Sequence, residues 1–179
     1  MNHKDILHFW FEELTPTQWW VKDLAIDQTI KKRFESIHHQ AMQCELYTWR
    51  NSAEGRLAEI IILDQFSRNM FRDTPRSFAG DALALSLAQE AINAGVDTSL
   101  TDTERSFLYM PFMHSESLLI HDVATMLFQK NGLESNIQFE KAHRDIIKVF
   151  GRYPHRNEIL GRSSTPEELE FLSQPNSSF

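Results

Sequence analysis

R-L-A-E-I-I-I-L-D-Q-F-S-R-N-M-F-R, running from Arg56 to Arg72, is the stretch on which the fold turns. Projected at helical pitch, Leu57, Ala58, Ile60, Ile61, Ile62, Leu63, Phe66, Met70 and Phe71 cover most of the circumference. A helix that is apolar nearly all round is a buried one. Asp64, Gln65, Arg68 and Asn69 interrupt it. Asp64 and Arg68 lie four apart, on the side that carries Leu57, Ile61 and Phe71. The pattern predicts a central helix wrapped by others, with a polar site inside the helical core.

Outward from this centre, helical signals continue in both directions. Asn51 and Ser52 offer N-caps for the central helix, and Asp73-Thr74-Pro75-Arg76 closes it with a loop. Upstream, about 24–48, Ile26, Ile30, Phe34, Ile37, Ala41 and Cys44 form one stripe. That predicts an outer helix, with His38 and His39 solvated and Cys44 a buried, inert thiol. A first helix, about 4–14, carries Phe9, Trp10 and Phe11, and with Trp19 and Trp20 it should pack one end of the core. Downstream, a helix over about 77–94 is closed by Gly95. Thr101-Asp102-Thr103-Glu104 reads as a capping box for the next, which Pro111 should end or kink. A helix projected from Pro111 runs to about Gln129, and another spans about 134–150 and stops at Gly151. Thr165-Pro166-Glu167-Glu168 caps a short last helix, about 166–173. No segment alternates apolar and polar residues as a strand does. The expected fold is all-α, a single domain over residues 1–179, with about eight helices and short connections.

Composition narrows the function classes. A content of 41% hydrophobic and 24% charged residues argues against disorder. A formal charge of -7 argues against nucleic-acid binding, because phosphate contacts supply most of that affinity. It leaves room for a small anionic ligand at a locally basic site. The longest aliphatic run, Ile60 to Leu63, lies between Glu59 and Asp64, so no membrane span is expected. The N-terminal apolar run is short and ends in acids, unlike a secretory signal, and the cytoplasm is the expected compartment. One cysteine excludes a cysteine-based zinc cluster. G-x-G-x-x-G, Walker A and G-x-S-x-G are absent, and no cofactor is specified.

Three helices each point an ionisable side chain at the core. Asp64 and Arg68 do so from the central helix. Glu116 falls among Phe112, Leu119, Val123, Met126 and Leu127, and His143 among Phe139, Ala142, Ile146, Val149 and Phe150. Asp, Glu and Arg are rarely buried unless paired, so these groups should meet around a polar pocket. The loop after residue 150 adds Arg152, Tyr153, His155, Arg156 and Asn157, with Arg162 close behind. Arginine forks match carboxylate and phosphate geometry. Tyr109 and His114 flank the junction at Pro111.

Three readings follow. One is a structural network, with Asp64–Arg68 a buried ion pair, Glu116 bonded to Arg152 or Arg156, and His143 a satisfied core histidine. Another is an acid-base enzyme, with His143 as general base and Glu116 or Asp64 as its partner. There, Arg68, Arg152 and Arg156 hold an anion, with Gln65, Asn69, Tyr109, His114, His155 and Asn157 as further ligand contacts. The third is a metal site built from His114, Glu116, His143, His155 and Asp64, for which the spacing lacks H-E-x-x-H or a paired E-x-x-H. No metal ligand is assigned on that basis.

L-D-Q-F-S-R-N-M-F-R (Leu63–Arg72), F-L-Y-M-P-F-M-H-S-E (Phe107–Glu116) and F-G-R-Y-P-H-R-N (Phe150–Asn157) resemble the signature blocks of a bacterial family of unknown function, domain-of-unknown-function family 924. The terminal F-L-x-Q-P-x-S-S-F, from Phe171 to Phe179, is similar too, with Asn176 where a glycine is expected. The resemblance implies a tetratricopeptide-like α-α superhelix and no activity. No self-similarity at a period of about 34 residues is visible in the sequence itself. A superhelix brings a fourth reading, a scaffold that binds a peptide or protein and whose polar core is structural. The sequence favours the small-molecule site with acid-base or hydrolytic chemistry.

Overall fold

The computed structural model describes residues 1–175 and residue 177. Asn176, Ser178 and Phe179 lie outside the described residues, and with them the glycine-to-asparagine departure in the terminal motif. Among the described residues the chain is helical, without strands. α1 joins His3–His8 to a π turn, Phe9–Glu13. α2 is Leu24–Met42. The central α3 joins Ala53–Ile61, a π turn Ile62–Phe66 and Ser67–Met70. α4 is Asp81–Asn93, α5 Asp102–Met113, α6 Leu118–Asn131, α7 Glu134–Phe150 and α8 Pro166–Leu172.

The capping chemistry read from sequence is present. The Ser52 hydroxyl accepts from Gly55 N at 3.1 Å, and Thr101 and Thr165 head complete capping boxes. Gly95, Gly132 and Gly151 end α4, α6 and α7 with positive φ, a backbone state glycine enters at no steric cost. α3 is the centre of the molecule. Leu57, Ala58, Ile60, Ile61, Ile62, Leu63 and Phe66 are fully buried, and Glu59 and Asp64 are buried with them. Phe66 meets Phe34 of α2 at 4.9 Å between ring centroids and Trp10 of α1 at 5.7 Å. Trp19 joins that cluster through its indole N–H, which donates to the Trp10 carbonyl at 2.8 Å. Trp20 stacks on Phe107 but stays 53% exposed, so it covers the core from outside.

Four expectations need correction. α2 ends at Met42, because Cys44 adopts φ 60° and closes the helix, with its N–H donating to the Ala41 carbonyl. Cys44 is therefore exposed. His38 is buried, since α3 packs against that flank of α2. Its Nε2 lies 2.8 Å from Ser67 Oγ, and that hydroxyl already donates to the Leu63 carbonyl, so His38 is the donor. Pro111 sits inside α5, and the break falls three residues later, at residues 114–117.

The late break shifts the phase of everything after it. Glu116 lies in the connection and not on α6. The buried side of α6 is His121, Ala124, Phe128 and Asn131, while Leu119 and Met126 are exposed. On α7 the buried side is Asn136, Glu140, His143, Ile146 and Ile147, while Phe139 and Val149 face solvent.

Candidate functional site

Asp64 sits in the π turn of α3, and such turns recur at functional sites. Its carboxylate is fully buried and fully used. Oδ1 receives His114 Nδ1 at 2.7 Å and Arg68 Nη1 at 3.2 Å, and Oδ2 receives Gln65 Nε2 at 2.6 Å. Burial alone would raise the Asp64 pKa. The Arg68 guanidinium and His114 outweigh it and hold the carboxyl below the ordinary range. Arg68 also forks onto Asp81 of α4, at 2.9 and 3.0 Å. Asp81 comes within reach because Gly80 lets the start of α4 lie on α3, where a Cβ would stand 2.7 Å from the Leu63 carbonyl oxygen.

His114 caps the end of α5 and turns Nδ1 onto Asp64. Burial and the Arg68 charge lower its pKa, with Asp64 opposing, so the ring is neutral near pH 7. A neutral ring that donates through Nδ1 keeps its lone pair on Nε2. His143 lies beside it, with ring centroids 6.5 Å apart. Its Nδ1 donates to the Phe139 carbonyl at 2.7 Å. Burial pushes its pKa down to about 3.

The loop after α7 supplies the other wall. Tyr153 is fully buried, with its ring 5.7 Å from His143 and 5.5 Å from His155. Burial and the neighbouring Arg156 lower His155 to about 4. Arg156 packs its guanidinium over Tyr153 at 4.4 Å and over Phe78 at 4.7 Å. Its Nε has no hydrogen-bond partner among the described residues. The carboxylate facing it is Asp81, 3.6 Å from Nη1 and already held by Arg68. Burial and Arg68 lower the Arg156 pKa.

Asp64, Gln65, Arg68, His114, His143, His155 and Arg156 are thus brought together. Other sequence candidates stand apart. Glu116 is clamped by Arg162, at 2.7 and 2.9 Å, and accepts the Tyr153 backbone N–H at 2.8 Å. It contacts neither Arg152 nor Arg156 as the structural reading expected, because the chain returns at Gly161 and brings Arg162 to it. Arg152 forks onto Glu168 of α8, at 2.6 and 2.7 Å. Asn157 bridges Ser164, Glu168 and Arg162. Asn69 donates to Asp27 of α2 at 2.8 Å, on the far side of α3. Tyr109 is buried and donates to Asp97 at 2.7 Å, so no kink exposes it. Sequence reasoning missed Asp81, whose signal was an acid directly after Gly80. It also missed His121 and Glu140, joined at 2.8 Å beneath Tyr153.

Solvent touches the cluster at its edge, where the side chains of Arg68, Asp81 and His114 are 21%, 20% and 14% exposed. A surface concavity of about 860 Å³ lies elsewhere, over Lys31, Glu35 and His39 of α2. Among the described residues no three His, Cys, Asp or Glu side chains are arranged to hold a metal ion. Nor is any helix long and apolar enough to cross a membrane.

Comparison with curated proteins finds no match. Among solved structures the chain is similar to a protein of unknown function, ATU0120, from Agrobacterium tumefaciens. The two share 41% identity over 96% of each chain, with a TM-score of 0.91. A family model described as bacterial protein of unknown function (DUF924) matches residues 6–176, and the chain belongs to that family.

Proposed function

We propose that the protein binds a small oxyanion, a carboxylate or phosphate, on Arg156 and performs acid-base chemistry on it with His114. The observation that carries this reading is Arg156 itself. It is 6% exposed, its Nε lacks a hydrogen-bond partner among the described residues, and Asp81, the acid in ion-pair range of it, is shared with Arg68. Buried charges are costly unless paired and hydrogen-bonded. An arriving oxyanion would supply what the guanidinium lacks, in the forked geometry arginine favours.

The chemistry rests on the Asp64–His114 pair. A carboxylate that fixes Nδ1–H leaves Nε2 to take a proton, which is the division of labour between orienting acid and general base. His143, assigned the base from sequence, becomes a neighbouring wall in this scheme. The charges already balance, with Asp64 and Asp81 against Arg68 and Arg156. An added anion therefore raises the proton affinity of His114 Nε2, which strengthens it as a base, and binding should tighten as pH falls.

The test uses inorganic phosphate. Calorimetry and thermal melting should show saturable binding and a raised Tm, with proton uptake revealed by buffers of different ionisation heat. Arg156→Met should remove the response. An equal response in that variant, or none in the wild type, ends the oxyanion assignment. Turnover is tested separately, on a panel of phosphomonoesters and carboxylic esters. There His114→Gln should lower kcat about 10²–10⁴-fold. Retained turnover would exclude His114 as the base.

The second reading, a tetratricopeptide-like scaffold with a structural polar core, draws support from the saturated Glu116–Arg162 and Arg152–Glu168 pairs. It predicts no phosphate response and no turnover in the wild type.

A further inference from the structure

We propose that the cleft between α6 and α7 binds a small primary ammonium ion, docked on the buried Glu140 carboxylate. This inference is independent of the oxyanion site. The cleft holds about 300 Å³, at the lower end of the range for small-molecule pockets. Its lining includes Glu140, 2% exposed, and Phe128, fully buried, with more exposed residues around them.

Glu140 is held from one side. Its Oε1 lies 2.8 Å from His121 Nδ1. His121 Nε2 faces the Ser115 carbonyl at 2.9 Å, which can only accept, so that nitrogen carries a hydrogen. One proton is then shared between Nδ1 and Oε1. Oε2 has no hydrogen-bond partner among the described residues. The Thr125 hydroxyl nearby donates to the His121 carbonyl at 2.9 Å. Buried polar atoms are nearly always partnered, so an orphaned carboxylate oxygen at a cleft calls for a donor.

The charges around the cleft select the donor. Arg144 is taken by Asp122 at 2.6 Å, and Lys141 by Asp145 at 3.1 Å. With those pairs closed and Oε1 held by His121, Glu140 Oε2 is the carboxylate oxygen of the cleft that lacks a hydrogen-bond partner among the described residues. Burial also pushes its carboxyl above the ordinary range, and a cation on Oε2 would relieve this. A bare metal ion would need three or more donors arranged to hold it, and the described residues offer no such group. An alkylammonium fits better. Its N–H groups would donate to Oε2 and its hydrocarbon would pack on Phe128 and Ile137, while His121 holds Oε1 from the other side.

The experiment is a heteronuclear NMR titration of the full chain with n-butylammonium chloride, and sodium butyrate as control. Saturable shifts confined to α6 and α7, absent with butyrate, are expected. Glu140→Gln keeps the size and the contact to His121 and should weaken binding at least about tenfold, the scale of a lost charged hydrogen bond. Gln129→Trp, at the exposed rim, should block the cleft with the buried pair intact, and it decides the matter if Glu140→Gln does not fold. The proposal is overturned by no saturable shift, by shifts elsewhere, or by unchanged affinity in either folded variant.

Discussion

Two polar clusters flank Tyr153, and they differ in how completely they are satisfied. On one side Glu116, Arg162, Asn157, Arg152 and Glu168 form a closed set. Each guanidinium meets a carboxylate in a forked geometry, and one oxygen of each carboxylate also accepts a backbone N–H, from Tyr153 at Glu116 and from Thr165 at Glu168. On the other side Arg68 is saturated, but Arg156 stands between two rings with a shared acid 3.6 Å away. Both are charged and largely buried, and both read alike from the sequence. Burying charge is therefore not by itself a sign of function. Incomplete pairing is the sharper signal, because a folded chain gains nothing structural from leaving a guanidinium short of partners.

The comparison breaks first at Glu116. Removing it leaves Arg162 and the Tyr153 N–H without their acceptor. Glu116→Ala should cost about 2–4 kcal/mol, with both groups about a quarter exposed at the side chain. Urea denaturation measures it. A cost below about 1 kcal/mol would mean that the closed cluster is not what holds Tyr153. Next is Gly80, which belongs to the open cluster. Gly80→Ala places a Cβ 2.7 Å from the Leu63 carbonyl oxygen, so backbone must move. A destabilisation of about 1–3 kcal/mol is expected, with tighter phosphate binding as Asp81 withdraws its charge from Arg68 and Arg156. Unchanged stability and binding would separate Gly80 from the site.

The pH response distinguishes the clusters in another way. Burial lowers His143 to about 3, while Arg152 holds Glu168 down to about 2. Between the ordinary histidine value, about 6.5, and the depressed one, the unfolded chain takes a proton that the folded chain refuses. Stability therefore falls as pH drops below about 6.5, and His38 and His155, each near 4, act in the same direction. Glu168 contributes only at lower pH, below about 4.3, where the unfolded carboxylate begins to protonate. His143→Gln should thus remove about 1 kcal/mol of the loss seen between pH 7 and about 5.5, read as Tm against pH. A slope identical to wild type would show that His143 is protonated or solvated in the folded state.

Much of this was legible beforehand, and the misses share one cause. The all-round apolar run of α3, the capping boxes at Thr101 and Thr165 and the closing glycines identify the helices locally. Asp64 and Arg68 stood out because they broke an apolar surface. Errors entered where helical phase was carried through a break. Projection from Pro111 assumed continuity, but α6 restarts at Leu118. That turned Leu119 and Met126 inward on paper and left His121 unnoticed. On α7 the apolar residues Phe139 and Val149 drew the face away from Glu140, although Glu140, His143 and Ile147 share one stripe. Pairing was less legible still. Asp81 reaches Arg68 because α4 can approach α3 at Gly80, and Arg162 reaches Glu116 through a left-handed turn at Gly161. Such contacts depend on how helices and turns meet, which periodicity does not encode.

The smallest expected effect is the most discriminating. In the closed cluster, Arg162→Met strands Glu116 and Asn157 and should cost as much as Glu116→Ala. In the open cluster, Arg156→Met replaces a guanidinium that has little to lose. The methionine keeps an apolar stem between Tyr153 and Phe78, and a desolvated charge disappears. Arg68 still holds Asp81, so no partner is orphaned. Stability should change by less than about 1 kcal/mol in either direction, or rise slightly, as when buried charges give way to packed apolar groups. Chemical denaturation of the two variants side by side gives the answer. If Arg156→Met costs as much as Arg162→Met, the guanidinium is structural, and the distinction between the two clusters collapses. If it costs nothing and phosphate binding is lost, the chain keeps Arg156 for a ligand.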